Sequence, residues 1–241
     1  MKIQAFTDTG RVREMNQDAF LTGAFQECGA WAVVCDGMGG VKGGQIASEI
    51  CVNEVSSHIK KGYRKGMSMK SVKNLLVSAI TAANIKVYEK AEENYEYMGM
   101  GTTIVAVVVL NGFAAVAHVG DSRAYLISDE IKQITHDHSV VQYLVDSGKI
   151  TPEQARVHPE RNVITRAVGV ASDVDIDVDI IPINHGEQIL ICSDGLYEYV
   201  KDEEMLDVIK NSDSGEPAKV LLDMANNAGG KDNITVVIVE G

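Results

Sequence analysis

A run rich in β-branched residues, Thr102 to Leu110, is separated from a second apolar run, Phe113 to Val119, only by Asn111-Gly112. Asn-Gly suits the positive-φ positions of a type I′ turn, so the two runs predict a β-hairpin. A second hairpin is predicted from Arg123 to Ile127 and Ile131 to Ile134, around Ser128-Asp129-Glu130. Strands joined this directly lie antiparallel, and helices must then pack on the sheet faces. A doubly wound parallel fold would alternate strand with helix, and this chain does not.

The remaining elements fit that frame. Apolar residues at 69, 72, 75, 76, 79, 80, 83, 87 and 91 give the strongest helical stripe, with Ser68 as N-cap, and Gln45 to Ile59 has similar spacing. Ile3 to Thr7, Trp31 to Cys35, Gln188 to Cys192 and Ile234 to Val239 read as strands. His138 to Arg156 reads as short helix or loop, and Asp202 to Lys210 and Pro217 to Ala225 as helices, the second with Pro in its first turn. The order is strands, two helices, many strands, two helices, one strand. In the 241 residues there is no repeat, low-complexity tract or linker, so one domain spanning 1–241 is expected.

Hydrophobic residues make up 45% of the chain and charged ones 23%, a globular composition. The net charge of -12 argues against nucleic-acid binding, and the one basic cluster, Lys60, Lys61, Arg64 and Lys65, lies beside Gly62 and Gly66 as a solvated loop would. Of the four cysteines, Cys35 and Cys192 fall in apolar runs and none forms a CxxC pair, which points to a reducing compartment. No signal-peptide core follows Met1, and the longest apolar stretch is too short to span a bilayer, so the expectation is cytoplasmic, with no membrane partner.

Five aspartates carry the chemistry. They stand in Asn16-Gln17-Asp18, Cys35-Asp36-Gly37, Gly120-Asp121-Ser122, Ser193-Asp194-Gly195 and Lys231-Asp232-Asn233, each at or near the end of an apolar run. Strand ends can aim side chains at one point, and converging carboxylates without thiolates suit Mg²⁺, Mn²⁺ or Ca²⁺ rather than Zn²⁺. Two such ions lower the pKa of a water and steady both oxygens of an in-line displacement, which suits phosphoester hydrolysis. Arg13, five residues before Asp18, can grip phosphate with its fork. A single Asp-Gly usually marks a turn and nothing more.

As a set, the segments Thr9 to Asp18, Val34 to Gly40 with Gly43-Gly44 and Ala47-Ser48, Met100 to Thr103, Val119 to Tyr125, Thr135 to Ser139, Ile164 to Gly169, Ser193 to Leu196 and Asp232 to Thr235 closely resemble the metal-dependent Ser/Thr protein phosphatases (PPM, type 2C), above all compact bacterial members. The resemblance runs in family order from residue 7 to residue 239. It implies a four-layer α-β-β-α sandwich, two antiparallel sheets flanked by antiparallel helix pairs, with a flap subdomain at about 138–169. It implies hydrolysis of phosphoserine and phosphothreonine in proteins by a metal-bridging water or hydroxide. By position, Asp36 would bridge two Mn²⁺ or Mg²⁺ ions, the Gly37 carbonyl would bind one, and Asp18 would serve one. Asp194 and Asp232 would complete the other, Asp121 would help bind a third, weaker ion, and Arg13 would hold the phosphate. Expected partners are phosphorylated proteins, among them a Ser/Thr kinase that the monomeric enzyme opposes.

The sequence departs from the family at the proposed histidine acid. Some relatives carry it directly after Asp-Gly, where this chain has Met38; many bacterial ones carry it after Gly-Met-Gly-Gly, where this chain has Val41. A metal-bound water is the expected proton donor instead. The missing histidine leaves open a catalytically silent phosphoprotein-binding module; a metal-dependent nuclease or pyrophosphatase fits the two-metal chemistry but not the acidity. Other polar residues read more plainly. Asp175, Asp177 and Asp179 alternate with Val174, Ile176, Val178 and Ile180 as a solvent-facing strand edge. His118 reads as a hydrogen-bonded sheet histidine, and His136 and His138 as a polar loop with no further ligand at suitable spacing.

Overall fold

The computed structural model describes residues 1–25, 29–212 and 215–241, and at Val41 the backbone alone, so the Val41 side chain and Cys28 lie outside the described residues. The chain runs β1 (Ile3–Asp8), β2 (Asp18–Phe25), β3 (Gly29–Met38), α1 (Gly40–Gly62), α2 (Met69–Glu93), β4 (Gly101–Thr102), β5 (Ile104–Leu110), β6 (Phe113–Val119), β7 (Arg123–Ile127) and β8 (Ile131–Gln133). It continues with α3 (Val140–Asp146), α4 (Pro152–Arg156), β9 (Asp177–Pro182), β10 (Gln188–Cys192), α5 (Asp194–Tyr197), α6 (Asp202–Asn211), α7 (Pro217–Asn227) and β11 (Ile234–Glu240).

The strands form two antiparallel sheets, ordered β1-β11-β10-β7-β8 and β2-β3-β5-β6-β9. The predicted β5–β6 hairpin turns at Asn111 and Gly112, with φ of 52° and 77°, the signs a type I′ turn requires. Strand periodicity explains the layering. In β3, Ala30, Ala32 and Val34 face the other sheet, while Trp31, Val33 and Cys35 face α1 and α2. In β5, Val105, Val107 and Val109 likewise point inward between the sheets, and Ile104, Ala106, Val108 and Leu110 point to the helices. A sheet covered on both faces has no solvated side to alternate with, so its strands read as unbroken apolar runs. On the other sheet, Leu190, Cys192, Val236 and Ile238 meet α6 and α7 through Met205, Leu221 and Leu222. Three cores thus separate four layers, as the resemblance implied. Each fully buried valine or isoleucine contributes about 1.5–3 kcal/mol.

Differences from the sequence reading are local. β2 was not predicted, and β3 continues through Asp36 and Gly37 rather than ending at Cys35. It continues because β4 pairs with it there, Gly37 opposite Thr102. The predicted strand from Val174 begins only at Asp177. The stripe on α2 holds one buried polar residue, Asn84, which accepts from Gly169 N at 2.7 Å and donates to the Ala171 carbonyl at 2.9 Å. Ser68 caps α2 as predicted, accepting from Ser71 N at 3.2 Å.

Candidate active site

The five aspartates come from five separate stretches; four of them line one cleft, and Asp18 lies buried behind it against Asp36. Asp18 opens β2 directly opposite Asp36 of β3 in register. Asp36 is fixed through its own peptide: Thr103 Oγ1 accepts from Asp36 N at 3.0 Å, and Thr103 N and Thr102 Oγ1 both donate to the Asp36 carbonyl at 2.8 Å. Asp194 is the first residue of α5, after the end of β10. Asp121 follows β6, and Asp232 precedes β11. The cleft has a volume of about 540 Å³ and is lined by Asp36, Asp121, Asp194 and Asp232 together with Arg13, Met38, Thr103 and Asn233. No histidine is among the described lining residues.

Electrostatics bind these carboxylates into one group. Burial, then the charges of Asp18, Asp194, Asp121 and Asp232 in that order, push the Asp36 carboxyl well above its ordinary range. Asp194 is pushed the same way, by burial and then by Asp121 and Asp232. Burial raises Asp121 to about 7, with Asp137 adding to it. Burial raises Asp18 to about 6 against hydrogen bonds that favour its ionised form. Those bonds come from Ser193 Oγ and Thr235 Oγ1, each 2.7 Å from Asp18 Oδ2. The other oxygen, Asp18 Oδ1, is buried without a donor. A proton shared with the neighbouring Asp36, an ordered water or a cation would satisfy it. An all-oxygen donor set, mutually repelling and with one buried orphan acceptor, fits hard divalent cations.

Backbone contacts hold the frame. A Cβ on Gly37 would lie 2.0 Å from the Gly44 carbonyl oxygen, so only glycine lets the start of α1 pack against the end of β3 here. Asn233, buried beside Asp232, staples the segment that carries Arg13. Its Oδ1 accepts from Gln17 N at 2.8 Å, and its Nδ2 donates to the Thr9 and Met15 carbonyls at 2.9 and 3.0 Å. Arg13 is half-exposed at the rim, donating from Nη2 to Asp232 Oδ2 at 2.7 Å. Asn233, Ser193 and Thr235 lay inside the matching segments of sequence, but their hydrogen bonds join residues some two hundred positions apart.

A second polar cluster corrects the reading of the histidines. His118 is a bonded sheet histidine as expected, its Nε2 2.9 Å from the His136 carbonyl. His138, however, is buried and stacked on His118 at 4.7 Å, and the pair comes within 4.8 Å of an Asp177 oxygen. Asp177 is therefore not merely part of a solvated row. Gly120 N donates to His138 Nδ1 at 3.0 Å, so the neutral ring carries its proton on Nε2, facing Asp177 Oδ2 at 3.3 Å. Burial lowers the His138 pKa, which keeps the ring neutral. The Arg166 guanidinium lies 2.9 Å from Asp177 Oδ1 and 3.0 Å from His138 Nε2, where a metal would have to sit. The cluster is a lock between residues 118–138 and residues 166–177. Beside it, residues 138–169 close on themselves through a Ser139–Ile164 bridge and bring Asn162 and Ile164 to the cleft.

Comparison with known proteins agrees with this geometry. Residues 9–226 match the family described as Protein phosphatase 2C. The chain belongs to the protein phosphatase 2C family. A serine/threonine phosphatase stp of Listeria welshimeri is 37% identical over 97% of this chain and 93% of the relative. The crystal structure of the serine/threonine phosphatase Stp1 from Staphylococcus aureus superposes with a TM-score of 0.92 at 39% identity, over 100% of this chain and 95% of that one. The catalytic domain of the serine/threonine protein phosphatase PstP, in complex with two manganese ions, gives 0.85 at 32% identity, over 99% and 97%. This protein phosphatase 2C is a metal-dependent protein-serine/threonine phosphatase, and its substrates are phosphoproteins.

Proposed function

We propose that the cleft is the catalytic centre of this phosphatase and that its aspartates divide the work. Asp36, with Asp18 and the Gly37 carbonyl on one side and Asp194 and Asp232 on the other, would hold two divalent cations. Asp121 would help hold a third, weaker ion, and Arg13 would hold the substrate phosphate. Manganese or magnesium suits the sites, since the donors are all oxygen. When bound, such ions neutralise phosphoryl charge and lower the pKa of water. The observation that carries this reading is Asp18, whose Oδ2 is fully used while its buried Oδ1 has no donor.

The residues of the chain do the rest. Ser193 and Thr235 fix the Asp18 carboxylate, the Thr103 hydroxyl accepts from the Asp36 peptide, and Asn233 sets the height of Arg13 over the cleft. Arg13 keeps one arm on Asp232, so a phosphate it gripped would be held at the edge of the carboxylate group. With no histidine in the described lining, a water held in the cleft would supply the proton to the leaving serine or threonine oxygen. Residues 138–169 act as a flap of the single domain, placing Asn162 and Ile164 beside the substrate. The buried free thiols of Cys35, Cys51 and Cys192 support a reducing, cytoplasmic setting, where the monomer opposes a Ser/Thr protein kinase. Among the described residues no helix is long and apolar enough to cross a membrane.

The test is turnover of p-nitrophenyl phosphate and of a phosphothreonine peptide with Mn²⁺ and after chelation. Activity should require the cation and should collapse in Asp194→Ala and Asp232→Ala. Turnover without divalent cations, or variants as fast as the parent, would sink the assignment.

A further inference from the structure

Tyr197 closes the short helix α5 that Asp194 opens. Standing three residues apart on one helical turn, the two side chains share a face. The Tyr197 hydroxyl donates to the Asp121 carbonyl at 3.1 Å. A single turn thus reaches two of the five aspartate segments, one through its own carboxylate and one through a phenol. Asp121 is also the neighbouring charge that acts most on Asp194, so the two carboxylates lie close.

The surroundings of Tyr197 keep that hydroxyl in place. Its ring packs against the core between the sheet and helices α6 and α7, and the Arg123 guanidinium lies 3.6 Å from the ring centre. A cation seated over an aromatic face holds the ring against sliding. Arg123 is itself clamped: its Nε and Nη2 donate to Asp137 Oδ2 at 3.0 and 2.7 Å, and Gln133 Nε2 donates to Asp137 Oδ1 at 2.8 Å. On the other side of Asp121, Ser122 Oγ shares a hydrogen bond with Thr103 Oγ1 at 2.7 Å, and Thr103 Oγ1 is the acceptor for Asp36 N. One line of contacts therefore runs from Asp36 through Thr103 and Ser122 to Asp121, and on through Tyr197 to the turn of Asp194.

We infer that Tyr197 is a positioning residue for the third, weaker cation, its hydroxyl fixing the Asp121 segment against the turn that carries Asp194. The inference rests on the reading of the cleft as a cation site and adds to it a side chain that would touch no ion. Asp18 and Asp36 are set opposite each other by strand register, whereas Asp121 lies beyond the end of β6 and depends on contacts of this kind. Asp194 does not depend on the Tyr197 hydroxyl. Ser193 N, just before it, donates to the Thr235 carbonyl at 3.2 Å, and Gly195, just after it, packs so closely that a Cβ would lie 2.0 Å from the Asn233 carbonyl oxygen. Removing the hydroxyl therefore loosens Asp121 and spares the carboxylates gathered around Asp36. Outer partners of this kind hold a ligand in its binding pose, and their loss is felt as lower metal affinity.

The experiment measures Mn²⁺ binding to the full chain by equilibrium dialysis, from micromolar to millimolar free ion, for the parent, Tyr197→Phe and Tyr199→Phe. Tyr197→Phe keeps the ring and its stack on Arg123 and removes only the donor. Tyr199→Phe removes a neighbouring hydroxyl from a ring packed against the same core and serves as the control. The parent should show two tight ions and one weaker. Tyr197→Phe should keep both tight ions and bind the weaker one about tenfold less tightly. Tyr199→Phe should match the parent. Unchanged weak binding in Tyr197→Phe, a loss of tight and weak ions alike, or the same loss in Tyr199→Phe would each overturn the proposal. A parent that binds two ions and no weaker one would overturn the third-ion assignment and this proposal with it. A parent that binds three, beside an unaffected Tyr197→Phe, would overturn the role of Tyr197 alone.

Discussion

Stripping divalent cations from the protein should make its stability fall as pH rises, the reverse of ordinary acid unfolding. Burial holds Asp18 at about 6 against an ordinary 3.8, and Asp121 at about 7. Between the ordinary and the raised value the folded chain binds more protons than the unfolded one, so stability drops with rising pH. It is fully present below about pH 4 and lost as pH climbs through the raised values. At ~1.4 kcal/mol per pKa unit, Asp18 alone accounts for about 3 kcal/mol and Asp121 for about 4 kcal/mol. The assay is urea unfolding of chelator-treated protein from pH 4.5 to 8, followed by near-ultraviolet signal. Asp18→Asn isolates one share. An Asn oxygen can still accept from Ser193 and Thr235, so the variant should be about 3 kcal/mol more stable than the cation-free parent at pH 8, a gap that narrows to about 1 kcal/mol near pH 4.5. His138, held neutral by burial, works the opposite way below about pH 6.5, but it is common to both proteins and cancels in the comparison. Adding Mn²⁺ should restore the parent at pH 8 and help the variant less. Cation-free stability that stays flat or rises with pH, or an identical pH slope in Asp18→Asn, would refute the reasoning.

Three further outcomes follow from the geometry. Arg13→Ala removes a charge-assisted phosphate donor worth about 1.5–3 kcal/mol, so kcat/KM for a phosphopeptide should fall by roughly 10–100-fold with the fold intact by circular dichroism. Asn233→Ala strands Gln17 N–H and the Thr9 and Met15 carbonyls, and should cost about 1–3 kcal/mol in denaturant unfolding while loosening Arg13, read as a higher KM. Gly37→Ala forces a Cβ against the Gly44 carbonyl and should lower the melting temperature clearly and reduce Mn²⁺ affinity, whereas an alanine at exposed Gly66, which meets no atom within 4 Å, should leave Mn²⁺ affinity alone.

Much of this was legible in the sequence because it is local or periodic. The β5–β6 hairpin is written in Asn111-Gly112, and the α2 face in its stripe. What escaped is what other elements impose. β2 contains Ala19, Gly23 and Ala24 and shows no clean alternation; it is a strand because β3 offers it a register from Asp18–Asp36 to Phe25–Gly29. β3 runs past Asp36 because β4, distant in sequence, pairs with Gly37 and Met38. Asp177 sat in a row that looked uniformly solvated, yet packing brings it to His138 and Arg166. The aspartates themselves stood out because four adjoin Gly or Asn and Asp18 lies two residues after Asn16, but their order of mutual influence around Asp36 is a property of the fold.

The most direct test of the account is the number of Mn²⁺ ions bound per chain, measured by equilibrium dialysis for the parent and for Asp36→Asn. The parent should bind at least two ions, and both tight ions should be lost when the Asp36 carboxylate is replaced. A parent that binds none, or an Asp36→Asn variant that binds as many ions as tightly, would contradict it.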